Sequence, residues 1–465
     1  MSRSGQAASA PAFGRASQVR WRIVALLMAF SFMNYVNRVS MSVAGDEIRG
    51  TYGLSETELG TVISALIAAY MLCMVPGGWL SDRLGASRAL TLMGFGSAAF
   101  CALTGVLVLA VAPSQTAAML GMLWLVRALM GAFTAPLYPA AGRAVSRWIP
   151  FGQRARVNAL VTGVAMIGIA CTYPLFGLLL EQFGLAGAFL MTGLVTAGLA
   201  VLWAGYARDE PGQHPRVNEG ELWLISGGTD APAATFASEP PPVERGRQAA
   251  AWGGLLRNRS LWLLTASYAA VGYVEYLVFY WSEYYFKNVL HFSELGGRIA
   301  AMIPPVCMGL CMPLGGWLSD RLMSVVGYRG CRAAVAMFGM VACSIMLTSA
   351  TVVTNDVAIV ACFALSLAFI GLTEAPAWAT AIDLGGKRAG TSAAIANTGG
   401  NTGGALSPTI TPWVSGLLVA EGLNQQQGWA WGMRLASLIC LVGAILWFWI
   451  DASERHETAP PGATA

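Results

Sequence analysis

Charge is what this chain lacks most. Only 11% of its 465 residues are Asp, Glu, Lys or Arg, against about a quarter in soluble domains. That excludes an ordinary water-soluble globule. Lysine is nearly missing, with 2 lysines against 26 arginines. No run of bases forms a separate basic domain, so nucleic acid is not an expected partner. The three histidines, His214, His291 and His456, all fall outside the apolar runs, which leaves no buried histidine relay. The nine cysteines lie in or beside apolar runs, and no His or carboxylate stands beside them to complete a metal site. A Gly-Lys-Ser/Thr phosphate loop and a His-Glu-x-x-His helix are both absent. An enzyme, a cofactor and a metal are therefore not expected.

What the chain has instead is apolar sequence, 56% of all residues. It is gathered into runs long enough to cross a bilayer, which takes roughly 20 helical residues. The runs lie near 22–43, 58–80, 88–111, 117–141, 157–180 and 185–206, then 260–285, 296–318, 332–353, 357–381, 391–418 and 429–450. The expectation is an all-α integral membrane protein of twelve transmembrane helices. Residues 1–20 read as a tail, 21–207 as a six-helix bundle, 260–451 as a second bundle and 452–465 as a second tail. Residues 208–259 carry the run Pro240-Pro241-Pro242 with few large apolar residues. They read as a mostly disordered linker, with a short surface helix over Glu219–Ile225.

The octapeptide Gly77-Gly78-Trp79-Leu80-Ser81-Asp82-Arg83-Leu84 returns unchanged at Gly315-Gly316-Trp317-Leu318-Ser319-Asp320-Arg321-Leu322. Such a long-range match points to parallel membrane repeats, two pseudo-symmetric halves related by an axis along the membrane normal. Placing both termini inside gathers Arg83, Arg88, Arg143, Arg147, Arg154, Arg156, Arg321, Arg329, Arg332, Lys387 and Arg388 on one side. By the positive-inside rule that side is the cytoplasm.

Ionisable residues deep in such spans are costly and point to function. Four stand out: Arg38, Arg127, Glu275 and Glu374. An arginine at mid-membrane suits a carboxylate, which it grips with two parallel hydrogen bonds. Alternatively, it braces a carbonyl or helix end. Aligning the halves sets Tyr35-Val36-Asn37-Arg38 against Tyr273-Val274-Glu275-Tyr276, and Thr134 against Glu374. One half keeps the arginines and the other the carboxylates. Tyr35, Asn37 and Tyr273 join the arginines as candidate substrate contacts, and Glu374 and Glu275 are the candidate proton carriers.

The octapeptide, with Gly85 and Arg88 after it, resembles the loop signature of the major facilitator superfamily. Within that superfamily, Asn34-Tyr35-x-x-Arg38, Ala135-Pro136-x-Tyr138-Pro139, Pro376-Ala377-Trp378-Ala379 and Asn397-x-x-Gly-Asn401 resemble the anion:cation symporter family. The resemblance implies the major facilitator fold and transport of sugar acids or other organic acids. It implies substrate-cavity roles for Arg38, Arg127, Asn397 and Asn401. It also implies a cytoplasmic latch at Asp82 and Arg83, to which Arg88, Asp320 and Arg321 belong by position. Members often carry Asp before the arginine and Glu before Ala-Pro as proton carriers, where this chain has Asn37 and Thr134.

The expected function is proton-coupled import of a small organic anion through the inner membrane, by a monomer that alternates access. A zwitterionic or cationic substrate gripped by Glu275 or Glu374 is the rival within transport. A non-transporting membrane receptor is the rival outside it.

Overall fold

A computed structural model describes residues 15–150, 153–226 and 257–451. Most of both expected tails, and linker residues 227–256, lie outside the described residues. The first half comprises α1 (Val19–Tyr52), α2 (Glu56–Leu84), α3 (Ala86–Ala110), α4 (Thr116–Thr134), α5 (Leu137–Trp148) and α6 (Arg154–Tyr206). A short α7 (Glu219–Ile225) follows. The second half comprises α8 (Arg259–Tyr284), α9 (Glu294–Ser349), α10 (Asp356–Gly385), α11 (Ala389–Ala420) and α12 (Gln425–Leu446).

Among the described residues ten helical segments are long and apolar enough to cross a membrane, with α4 and α5 forming one of them and α9 supplying two. The segment over residues 156–206 counts twice, because α6 breaks at Gly184. The 32-residue α11 completes the expected twelve. Both merged helices break at glycines of left-handed backbone, Gly184 at φ 68° and Gly327 at φ 71°, a conformation that other residues rarely adopt. Most other boundaries are written in capping residues. Ser55 and Glu58 close a capping box on α2, as Asn424 and Gln427 do on α12. The side chains of Asn258, Ser293 and Asn355 each accept a first-turn N–H at the start of α8, α9 and α10.

Small residues let the helices close up. A Cβ on Gly131 would lie 2.1 Å from the Leu66 carbonyl oxygen, and one on its counterpart Gly371 would lie 2.6 Å from that of Met308. On α11, Gly399 and Gly403 meet carbonyl oxygens of Thr265 and Ala269, while Gly400 and Gly404 meet the rings of Tyr268 and Tyr276. The glycine stretch thus seats two tyrosines of α8. A Cβ at Gly403 would stand 1.8 Å from the Ala269 oxygen. Gly403→Ala is therefore expected to cost about 1–3 kcal/mol through backbone displacement. Thermal unfolding in detergent checks it, with Gly416→Ala as control, because nothing lies within 4 Å of a Cβ there.

Residues 208–226, expected as the start of a mostly disordered linker, are instead bound to the first half. The buried Glu221 carboxylate accepts from the N–H groups of Val19 and Arg20 at 3.0 Å each, so it caps α1. Asp209 accepts from Ser87 N–H at 2.9 Å and caps α3. The His214 ring is buried against Trp148 and Tyr206. Burial, then the charges of Arg208 and Arg216, hold its imidazole below the usual range, so it packs as a neutral ring.

Candidate functional site

The two halves meet at a seam that passes between α1 and α8. Arg38 donates from Nη2 to Tyr276 Oη at 2.7 Å, and Ser42 Oγ donates to the Tyr280 carbonyl at 2.8 Å. Each pair is separated by 238 positions, the separation of the two octapeptides. Arg38 and Tyr276 are therefore counterparts that touch across the pseudo-symmetry axis. The Arg38 guanidinium lies 5.6, 5.0 and 5.1 Å from the ring centres of Tyr35, Tyr70 and Tyr276. Its Nε has no hydrogen-bond partner. This desolvated cation is held by ring faces and phenols, and among the described residues no ion pair supplies the anion that would balance it.

Not every expected contact lies beside Arg38. Asn37 turns into the first bundle, where its Nδ2 donates to Ser97 Oγ and Thr196 Oγ1. Arg127, expected to line the cavity, is fully buried. Its Nη1 and Nη2 donate to the Asn37 and Arg38 carbonyls at 3.2 and 2.9 Å. It braces the backbone of α1 directly behind Arg38. Tyr273 is buried against α11, its hydroxyl 3.0 Å from Thr411 Oγ1. Asn401 lies in the contact between α11 and α2, donating to the Asn397 carbonyl at 3.0 Å and approaching Met74 Sδ. The reason is common to all four. Membrane depth can be counted along a helix, but rotation about the helix decides which neighbour a side chain meets. Tyr35 and Asn397 remain partly exposed.

Across the seam, Glu275 and Glu374 lie side by side within the second bundle, close enough to interact directly. Glu374 Oε2 accepts from Tyr268 Oη at 2.9 Å and from Trp378 Nε1 at 3.2 Å. One oxygen of each carboxyl, Oε1 in both cases, is buried without a partner. Among the described residues no ion pair supplies a base to either acid. Sequence reasoning gives Tyr70 and Tyr268 no role, and it meets Tyr276 and Trp378 only as members of the aligned stretch and of the Pro376-Ala377-Trp378-Ala379 motif.

Let the face where α1 begins be the terminal face. On the opposite face the halves are closed by Arg298 with Glu181, Tyr284 and Gln425 with Glu56, and Asn288 with Asp46. The contact continues inward through Ser64 with Thr409 and Met71 with Thr402. Toward the terminal face, Gly163 and Gly390 have nothing within 4 Å of a Cβ position. The two octapeptides both end at that terminal face, and each stacks its arginine on its tryptophan, Arg83 on Trp79 at 5.3 Å and Arg321 on Trp317 at 4.9 Å. Asp82 pairs with Arg143 at 3.5 Å within its own half. Arg88 and Asp320 are exposed.

These features agree with what the chain resembles. The family model of the Major Facilitator Superfamily matches residues 24–408. The chain is 30% identical over 431 residues to a probable galactarate/D-glucarate transporter of Bacillus subtilis, covering 90% of this chain and 92% of that one. It is 28% identical to a probable sulfoacetate transporter of Cupriavidus necator, over 84% and 86% of the two chains. Its fold matches a bacterial homolog of the human lysosomal transporter Spinster, solved inward-facing and unoccupied, with a TM-score of 0.73 at 15% identity over 93% and 97% of the chains. A match over most of its length, on an all-helical two-bundle architecture, places this chain in the Major Facilitator Superfamily, as a multi-pass membrane transporter and not an enzyme.

Proposed function

We propose that this protein imports a small organic anion through the inner membrane together with protons, by alternating access. The observation that carries the reading is Arg38, an unbalanced guanidinium at the meeting line of the two halves. An anion arriving there supplies the missing charge. The two relatives named for organic acids support the same class of substrate.

Protons enter through the acid pair. Two carboxyls sharing a site cannot both be charged at low cost, so Glu275 and Glu374 hold a proton that one more negative charge nearby would retain. The closed far face fits one end of a rocking cycle, in which the polar pairs at Glu56, Asp46 and Glu181 must part. The arginine excess of the terminal face supports placing it, with both termini, in the cytoplasm.

The test is uptake into proteoliposomes of labelled D-glucarate, sulfoacetate and 3-phenylpropionate under an imposed pH gradient. Accumulation of at least one acid, abolished by collapsing the gradient, is expected. Binding without flux in every case would replace a transporter of organic anions by a receptor. The unpartnered oxygens of Glu275 and Glu374 favour one second reading, a zwitterion whose ammonium sits on the acids while its carboxylate meets Arg38.

A further inference from the structure

We propose that the substrate is a monocarboxylate with an aromatic or apolar body, and that sugar diacids are poor ligands. This rests on the organic-anion reading of the seam and narrows it.

The first ground is the count of available cations. Of the two deep arginines, Arg127 has both terminal nitrogens on main-chain carbonyls and no exposed surface. Releasing it would take one donor from each of the Asn37 and Arg38 carbonyls. Among the described residues, the other bases around the seam are Arg49, Lys287 and Arg298, all at the far face and paired with acids. One guanidinium thus faces the substrate, and it satisfies one carboxylate.

The second ground is what the opposite wall offers. A second carboxylate reaching across would meet Glu275 and Glu374, where no ion pair of the described residues offers it a base. The surface between is aromatic. Beyond the rings around Arg38 comes the edge-to-face pair Tyr268–Trp378, with centroids 6.2 Å apart. Beside that pair is a small notch, lined by Leu264, Ala377, Ala381, Ala393 and Ala396 with Asn397 as its one amide. Tyr268 and Tyr276 lie eight residues apart on α8, about 12 Å along the axis. A ring joined to its carboxylate by a short linker lies along this wall, whereas a polyhydroxylated diacid would leave its hydroxyls against apolar surface.

The experiment is calorimetric titration of the full-length protein in lipid nanodiscs with 3-phenylpropionate, D-glucarate and L-phenylalanine. The expected result is a Kd for 3-phenylpropionate at least tenfold below that for D-glucarate. Trp378→Ala should weaken 3-phenylpropionate at least tenfold, and Trp378→Phe, which keeps a ring, should retain most of the affinity. D-glucarate binding as tightly as 3-phenylpropionate would overturn this narrowing and leave the organic-anion reading standing. A preference for L-phenylalanine would overturn it in favour of the zwitterion. Equal loss in both Trp378 variants would remove the aromatic wall from the argument. Failure of every organic acid to bind would bring down the broader reading too.

Discussion

Arg38→Lys is expected to lose most of the substrate affinity while the protein folds and purifies as before. Lysine keeps the positive charge among Tyr35, Tyr70 and Tyr276, so the electrostatic environment is preserved. It lacks the planar fork that grips both oxygens of a carboxylate. Losing one charge-assisted hydrogen bond costs about 1.5–3 kcal/mol, or roughly ten- to a hundredfold in Kd. The measurement is Kd for whichever acid the wild-type protein accumulates best, with melting temperature as the folding control. Tyr276→Phe separates gripping from positioning. It removes the phenol that Arg38 donates to and should cost far less than Arg38→Lys. Near-normal binding in the lysine variant would reduce Arg38 to a structural cation.

Glu374→Gln should abolish accumulation driven by a pH gradient and spare substrate-for-substrate exchange. The amide oxygen of glutamine can still accept from Tyr268 and Trp378, the two donors that now hold Oε2. What disappears is the titratable proton and the repulsion toward Glu275. The variant therefore resembles a permanently protonated site, which can bind and exchange but cannot release its proton inside. Counterflow and gradient-driven uptake, measured on the same proteoliposomes, distinguish these outcomes. Continued accumulation under a pH gradient alone would show that Glu374 is not the obligatory carrier. Loss of exchange as well would make it a substrate ligand or structural partner.

The helical count and the repeat were legible in the sequence because both are written in one dimension, as lengths of apolar runs and as a repeated string. Arg38 was legible too, since a charge at mid-span has to be explained. Its neighbour Asn37 shows the limit. Successive residues on a helix point about 100° apart, and the structure turns Asn37 into the first bundle and Arg38 to the seam. Arg127 shows another limit. Nothing in the string reveals that its fork closes on carbonyls some 90 positions away. Glu221, expected on a short surface helix of the linker, caps α1 instead. Its partners, Val19 and Arg20, are neighbours only after the chain has folded.

The meeting of Arg38 with Tyr276 also bears on why the two halves travel on one polypeptide. In a dimer of identical six-helix chains, the residue on the twofold axis faces its own copy, because the interface is isologous. Two arginines there would set like charges together, and two tyrosines would leave an incoming acid without a cation. An unlike pair at that point requires two different sequences held in fixed partnership. Joining the copies end to end satisfies that requirement, and it frees the axial position to diverge while the octapeptides stay the same.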